Sequence, residues 1–281
     1  MRAHVTDMAR DPGIEKFLLH IRACQTACLP GERLKFLIGD AHVGYVRPEF
    51  GRRLAAASHQ IRLNGQVQLA PGAKDALNEI AVAAGCRVRS EDFDVRVAVD
   101  QPSIAILDRG ALPDFGVIGV GVHVNGLVRR PDGWHLWIGK RAADKKLDPG
   151  KLDNLVGGGV AAGHTPFETL IKEAGEEAML PAALAATATP QGRFAYTMER
   201  PEGLRRDVLY VYDLLLPEDF IPQPADGEVE QFHLWPLQQA FETVRDTDEF
   251  KFNVNLVLID LFIRLGMVKG QDAATLRQAL G

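Results

Sequence analysis

The chain reads as an α+β protein, with a mixed β-sheet covered by helices on both sides and a smaller α+β unit in front of it. Three observations predict this. Strand-like and helical segments intermix without regular β-α-β alternation, which disfavours a doubly wound parallel sheet. The alternating run VIGVGVHVNGLV (117–128) and the strand-like HLWIGKR (135–141) are separated by the turn signal PDGW, so the two form a hairpin. A glycine cluster, Gly157 to Gly159, then leads into a strong helix from Pro166 to about Met179.

In chain order, Ile14, Phe17, Leu18 and Ile21 recur at helical spacing and predict a helix over 13–25. Leu34, Phe36 and Ile38 alternate as a strand does; Val43 to Val46 and Ile61 to Leu69 predict further strands. Lys74 to Ala84 follows as a helix that Gly85 ends. Turn residues cluster at Asp108–Gly110 and Pro113–Gly116, which places a boundary between an N-terminal α+β domain, 1–115, and a second domain, 116–281. After the glycine cluster and its helix, strands are predicted at Gly192–Met198, Val208–Leu216 and Val229–Trp235, then helices at Asn253–Leu265 and Ala273–Leu280.

With 46% apolar and 25% charged residues, the chain has the composition of a globular protein. Acidic residues outnumber basic ones, 37 to 32, for a formal charge of −5. Neither that balance nor any Lys/Arg run favours nucleic acid as a partner. The start, MRAHVTDMARDPGIEK, lacks an apolar core of signal-peptide length, and no stretch has the continuous apolar length of a membrane span. Cys24, Cys28 and Cys86 are too few for a disulfide framework, and Cys24 and Cys28 have no second pair at zinc spacing. A cytoplasmic location is the expectation, without a membrane partner; the sequence leaves a homodimer open.

The informative segment is GGGVAAGHTPFETLIKEAGEEAML, 157–180. Thr165 is a good N-cap, Pro166 suits the first helical position, and Glu168 completes a capping box. Phe167, Leu170, Ile171, Ala174 and Ala178 form one apolar stripe, whereas Glu173, Glu176 and Glu177 share another face at i, i+3 and i+4. Three like charges on one face repel, and those nearest the C-terminus oppose the helix dipole. Such a cost points to an absent partner, for which a hard divalent cation is suited, although a solvated acidic face is the bland alternative. Upstream glycines allow close backbone approach to such an ion.

These residues resemble the Nudix signature, which runs Gly, five residues, Glu, seven residues, Arg-Glu, apolar, any, Glu-Glu, any, Gly, apolar. Gly158 takes the first position, Lys172-Glu173-Ala174-Gly175-Glu176-Glu177 the central block and Leu180 the last. The resemblance implies a Nudix-type α/β/α sandwich whose catalytic residues are Glu173, Glu176 and Glu177. Glu173 and Glu177 would be metal ligands, Glu176 a ligand or base, and the Gly158 carbonyl a further contributor, with Mg²⁺ as the metal and Mn²⁺ as a substitute. His164, Lys172 and Met179 depart from the signature; Glu168, four residues before Lys172, is expected to replace the family's Glu–Arg brace. Over most of its length the chain is similar to the Nudix domain fused to thiamine pyrophosphokinase in fungi. That similarity implies hydrolysis of a damaged thiamine diphosphate such as oxythiamine diphosphate.

The expected activity is metal-dependent hydrolysis of a small organic diphosphate. A nucleoside diphosphate-X pyrophosphohydrolase and a non-catalytic diphosphate-binding module are the alternatives. Isopentenyl diphosphate isomerisation needs an active-site Cys, and all three cysteines precede residue 87. Glu176 is the first candidate base, with Glu228 and Glu230 of DGEVE as alternatives. Arg141 ends a hairpin strand and suits bidentate phosphate binding. Asp153, Asn154 and Asp226 flank the site in the chain and are candidates for contacting substrate, as are Trp137, Tyr196, Tyr210 and Phe232 for ring stacking. The 1–115 domain is expected to shape the pocket.

Overall fold

The computed structural model describes residues 12–281. The first eleven residues, part of the N-terminal stretch that lacks a signal-like apolar core in sequence, lie outside the described residues.

Helix α1 (Pro12–Ala23) is followed by strands β1 (Leu34–Ile38) and β2 (Ala41–Val46), helix α2 (Pro48–Ala57), and strands β3 (Ile61–Leu63) and β4 (Val67–Leu69). The single strand expected over Ile61–Leu69 is in fact a tight hairpin. Asn64–Gly65 is a hairpin turn pair, and Gly65 has a φ of +66°, a conformation that interrupts any strand. Strands pair in the order β2-β1-β4-β3, β1 to β4 in parallel. A 3₁₀ turn (Pro71–Ala76) runs into α3 (Leu77–Ala83). The ribbon β5 (Asp92–Val95) and β6 (Ala105–Asp108) and the short α4 (Leu112–Phe115) complete this part, whose core gathers Phe36, Val46, Leu54, Leu69, Leu77, Leu107 and Phe115.

The second part is built on β7 (Ile118–Arg130) and β8 (Gly133–Arg141), joined in the predicted hairpin. Then come β9 (Leu152–Asp153), β10 (Val156–Gly159), α5 (Pro166–Ala178), α6 (Ala182–Ala185), β11 (Thr189–Arg200), β12 (Gly203–Leu215), β13 (Val229–Pro236), α7 (Leu237–Asp246), α8 (Val254–Arg264) and α9 (Gly270–Leu280). The sheet order is β11-β12-β7-β8-β13, with β12 parallel to β7 and the remaining neighbours antiparallel, so the sheet is mixed. On one face lie α7, α8 and α9 over Ile138, Tyr196 and Val211; on the other lie α5 and α6 over Val122, Val124 and Leu214. Helix α7 is not among the helices that the sequence predicts, although Leu237, Ala240 and Val244 recur at helical spacing and are buried.

Helix α1 does not stay with the strands that follow it. Ile14, Phe17, Leu18 and Ile21 pack into the α7–α9 layer. Burial of this apolar stripe needs a long complementary surface, and three helices of the second part supply it. The boundary expected near residue 115 is therefore crossed in space by the first helix.

One feature of the sheet positions the site. β8 pairs with β7 only along Gly126–Arg130, and β10 takes over the same edge along Gly121–Val124. β8 turns instead to β9, Gly139 opposite Asp153. The strands thus fork, and the fork opens toward α5 and the start of β13.

Candidate functional site

Helix α5 starts as its sequence dictates. The Glu168 N–H donates to Thr165 Oγ1 at 3.2 Å, and the Thr165 N–H donates to Glu168 Oε2 at 2.9 Å, forming the capping box. This occupies Glu168, and the expected Glu168–Lys172 brace does not form. Lys172 instead reaches Glu176 at 2.6 Å and Glu173 at 3.3 Å, because its own face carries both carboxylates. At the other end Met179 stands at φ +52° where the Nudix signature has Gly, a left-handed conformation costing about 1 kcal/mol or more in a residue with a Cβ.

The three glutamates meet different surroundings. Glu177 is buried, and the Gly157 N–H donates to its Oε2 at 2.9 Å. Burial, reinforced by the nearby Asp153, Glu173 and Glu228 charges, pushes its carboxyl well above the usual range despite that hydrogen bond. Glu173 lies on Gly158: a Cβ there would be 2.4 Å from Glu173 Cγ, so glycine is what lets the side chain reach the strand. Burial raises its carboxyl too. Glu176 is 51% exposed and faces Lys172.

Glu177 converges not with Glu176 but with Asp226 and Glu228, one carboxylate oxygen of each lying within 4.8 Å of the others. The Glu228 N–H donates to Asp226 Oδ1 at 2.8 Å, a local turn that turns both side chains toward α5. Burial alone would raise the Glu228 carboxyl, but its ion pair with Lys145 and the charges of Arg109 and Arg141 hold it below its ordinary value. Glu230 is not part of the group. The β13 register shifts between Val229 and Gln231, a bulge that sends Glu230 to Lys140 at 2.9 Å.

Gly139, Arg141, Asp153, Asn154, Gly157, Glu177, Glu228 and Val229 line the small pocket in the fork. Arg141, expected to bind phosphate, donates from Nη1 to Asp153 at 2.8 Å, from Nε to the Asp148 carbonyl at 3.1 Å and from Nη2 to the Leu147 carbonyl at 2.8 Å. Its donors hold the 141–153 loop closed. Asp153 also receives Lys251 at 3.3 Å, and its carboxyl sits near pKa 2 because Lys251, His123 and Arg141 outweigh the cost of burial. Asn154 accepts from His123 Nδ1 at 2.9 Å and donates to Asn125 at 2.8 Å, and Asn125 donates to Asp213 at 2.8 Å. Burial and the Lys251 charge lower the His123 pKa to about 4, so the ring is neutral at pH 7. Asp153 and Asn154 therefore build the pocket floor. Sequence reasoning missed His123, Asn125 and Lys251, none of which stands in a pattern that local periodicity flags.

Of the aromatic candidates, Trp137 and Tyr196 are core residues, the latter with its hydroxyl on Asp207, whereas Tyr210 and Phe232 are partly buried. His164 is exposed, its ring against the Ala162 carbonyl at 3.2 Å. Cys24 is buried in the α1 layer, Cys28 is exposed and Cys86 is partly buried.

Glu177, Asp226 and Glu228 thus form an all-oxygen cluster beside the glycine strand, Glu177 buried and the other two exposed. Residues 120–254 match the Nudix domain family. The chain is 34% identical over 267 residues to Nudix hydrolase 20, chloroplastic, of Arabidopsis thaliana, covering 88% of this chain and 71% of that protein. It is 38% identical over 226 residues to Nudix hydrolase 24, chloroplastic, of the same plant, covering 80% of this chain and 57% of that protein. Among solved structures, the Nudix domain of NrtR from Shewanella oneidensis, complexed with ADP ribose, aligns at 14% identity and a TM-score of 0.43, covering 54% of this chain and 90% of that one. The chain belongs to the Nudix hydrolase family, enzymes that cleave diphosphate bonds. Among the described residues no helix is long and apolar enough to cross a membrane.

Proposed function

We propose that this chain hydrolyses the phosphoanhydride bond of a small organic diphosphate, releasing an organic monophosphate and inorganic phosphate. The convergence of Glu177, Asp226 and Glu228 at the fork is the observation that carries this reading. The residues fit a divalent cation. Their donors are all oxygen, and burial with mutual repulsion pushes Glu177 and Glu173 toward protonation, which a bound cation would reverse.

Glu177, Asp226, Glu228 and Glu173, with the Gly158 carbonyl, would hold Mg²⁺, or Mn²⁺ in its place. When bound, the cation neutralises diphosphate charge and makes water more acidic. The glycines of β10 leave room for the diphosphate beside the backbone. Water oxygen bonds to phosphorus as the bridging P–O bond breaks. The water's proton passes to a carboxylate of the mouth; Glu176, the base that the sequence favours, is exposed and held by Lys172 outside that group. Oxythiamine diphosphate is the first substrate to test, by similarity to the fungal fusion enzymes' Nudix domain.

The test is kcat/KM for oxythiamine diphosphate, thiamine diphosphate, ADP-ribose and common nucleoside di- and triphosphates under matched Mg²⁺. Metal-dependent phosphate release, highest for oxythiamine diphosphate, is the expected result. A nucleotide substrate preferred by tenfold or more would remove the thiamine assignment and keep the chemistry; no turnover of any substrate would overturn both.

A further inference from the structure

The wall facing β10 from the other side comes from residues that precede the Nudix match. The β5–β6 ribbon is tied twice to the loop between β10 and α5. The Ala162 N–H donates to the Asp92 carbonyl at 2.8 Å, and the Gly163 N–H to Asp94 Oδ2 at 3.2 Å. Gly159 has no room for a side chain there, since a Cβ would lie 2.6 Å from Phe93 Cζ and 3.4 Å from Arg109 Cζ. The Arg109 guanidinium is thus set against the glycine strand, one residue along from the glycine that receives Glu173.

Arg109 is held in place on one edge. Its Nη1 donates to both Glu91 oxygens, at 3.1 and 2.8 Å, and its guanidinium lies 5.6 Å from the Phe93 ring centroid. Nε and Nη2 have no hydrogen-bond acceptor among the described residues, and the side chain is 39% exposed. Its charge reaches Glu228, and Arg89 adds a second positive charge beside it.

Several cations around the fork are otherwise engaged. Arg141 holds Asp153, Lys140 holds Glu230, Lys145 holds Glu228, and Lys172 holds Glu173 and Glu176. A diphosphate entering among these carboxylates needs a donor that is not already paired. A guanidinium with one edge fixed and the other presented offers two parallel N–H groups to a phosphate.

We propose that Arg109 is a substrate-binding residue, taking phosphate oxygens on Nε and Nη2, so that the part of the chain before the Nudix match contributes directly to diphosphate recognition. The inference rests on the diphosphate reading above.

The probe is methylenediphosphonate, whose bridge cannot be hydrolysed, titrated with Mg²⁺ into the full chain by calorimetry. Arg109→Gln should weaken binding about tenfold or more at an unchanged melting temperature, with Arg109→Lys intermediate. Glu91→Gln should bind at least as well as wild type, because it removes the competing carboxylate; a merely structural ion pair would make Glu91→Gln and Arg109→Gln behave alike. Binding by Arg109→Gln and Arg109→Lys within about twofold of wild type overturns the proposal and leaves the diphosphate reading standing. If wild type cleaves none of the diphosphates tested above, yet Arg109→Gln still weakens binding tenfold, the reaction falls and the role of Arg109 stands. No binding by wild type overturns both.

Discussion

Two ionic clusters share the fork between β8 and β10, and they are built on opposite terms. In the floor, Asp153 is a buried anion between two buried cations, Arg141 and Lys251. At the mouth, Glu177, Asp226 and Glu228 gather negative charge on negative charge, with Lys145 the cation paired to Glu228. A compensated buried cluster fixes geometry, whereas an uncompensated one costs stability and signals a ligand that brings the missing charge. The floor joins β8, β9 and the segment before α8, and so keeps the mouth in shape.

Removing one partner is the strongest way to break the comparison. Asp153→Ala leaves Arg141 and Lys251 buried without their anion, and a loss of about 3–5 kcal/mol is expected in denaturant unfolding. A loss below about 1 kcal/mol would mean that the floor is not a compensated cluster.

At the mouth the same kind of change should have the opposite sign. Glu177→Gln should lower metal-dependent turnover by about a hundredfold or more, while the metal-free melting temperature holds or rises because repulsion falls. Added Mg²⁺ should raise the wild-type melting temperature and leave that of the variant unchanged. A variant that is both active and destabilised would place Glu177 with the floor instead.

The smallest effect is read through pH. His123 is buried beside Asp153, Lys251 and Arg141, and its folded pKa of about 4 lies below the ordinary value of 6.5. Between those values the unfolded chain binds the extra proton. Its contribution is therefore fully present above pH 6.5 and is lost as pH falls toward 4. His123→Gln should flatten the stability profile across that window relative to wild type; identical slopes would show that the ring titrates normally.

Much of the mouth is legible in the chain because its helix is a local object. Thr165, Pro166 and Glu168 fix where α5 begins, its apolar stripe fixes which face is buried, and the 117–141 hairpin announces itself through alternation and the PDG turn. The Nudix signature is legible for the same reason, since its residues stand at fixed spacings on one loop and one helix. Spacing alone could not separate Glu176 from Glu177. Adjacent residues on a helix point about 100° apart, and only the packing of α5 on β10 buries one and leaves the other in solvent. Nor could it bring Asp226 and Glu228 to Glu177, pair Asp153 with Lys251 across 98 positions, or set Arg109 against Gly159. Those contacts join segments remote in sequence, where no periodicity links the partners. The fork in the sheet and the burial around it decided them.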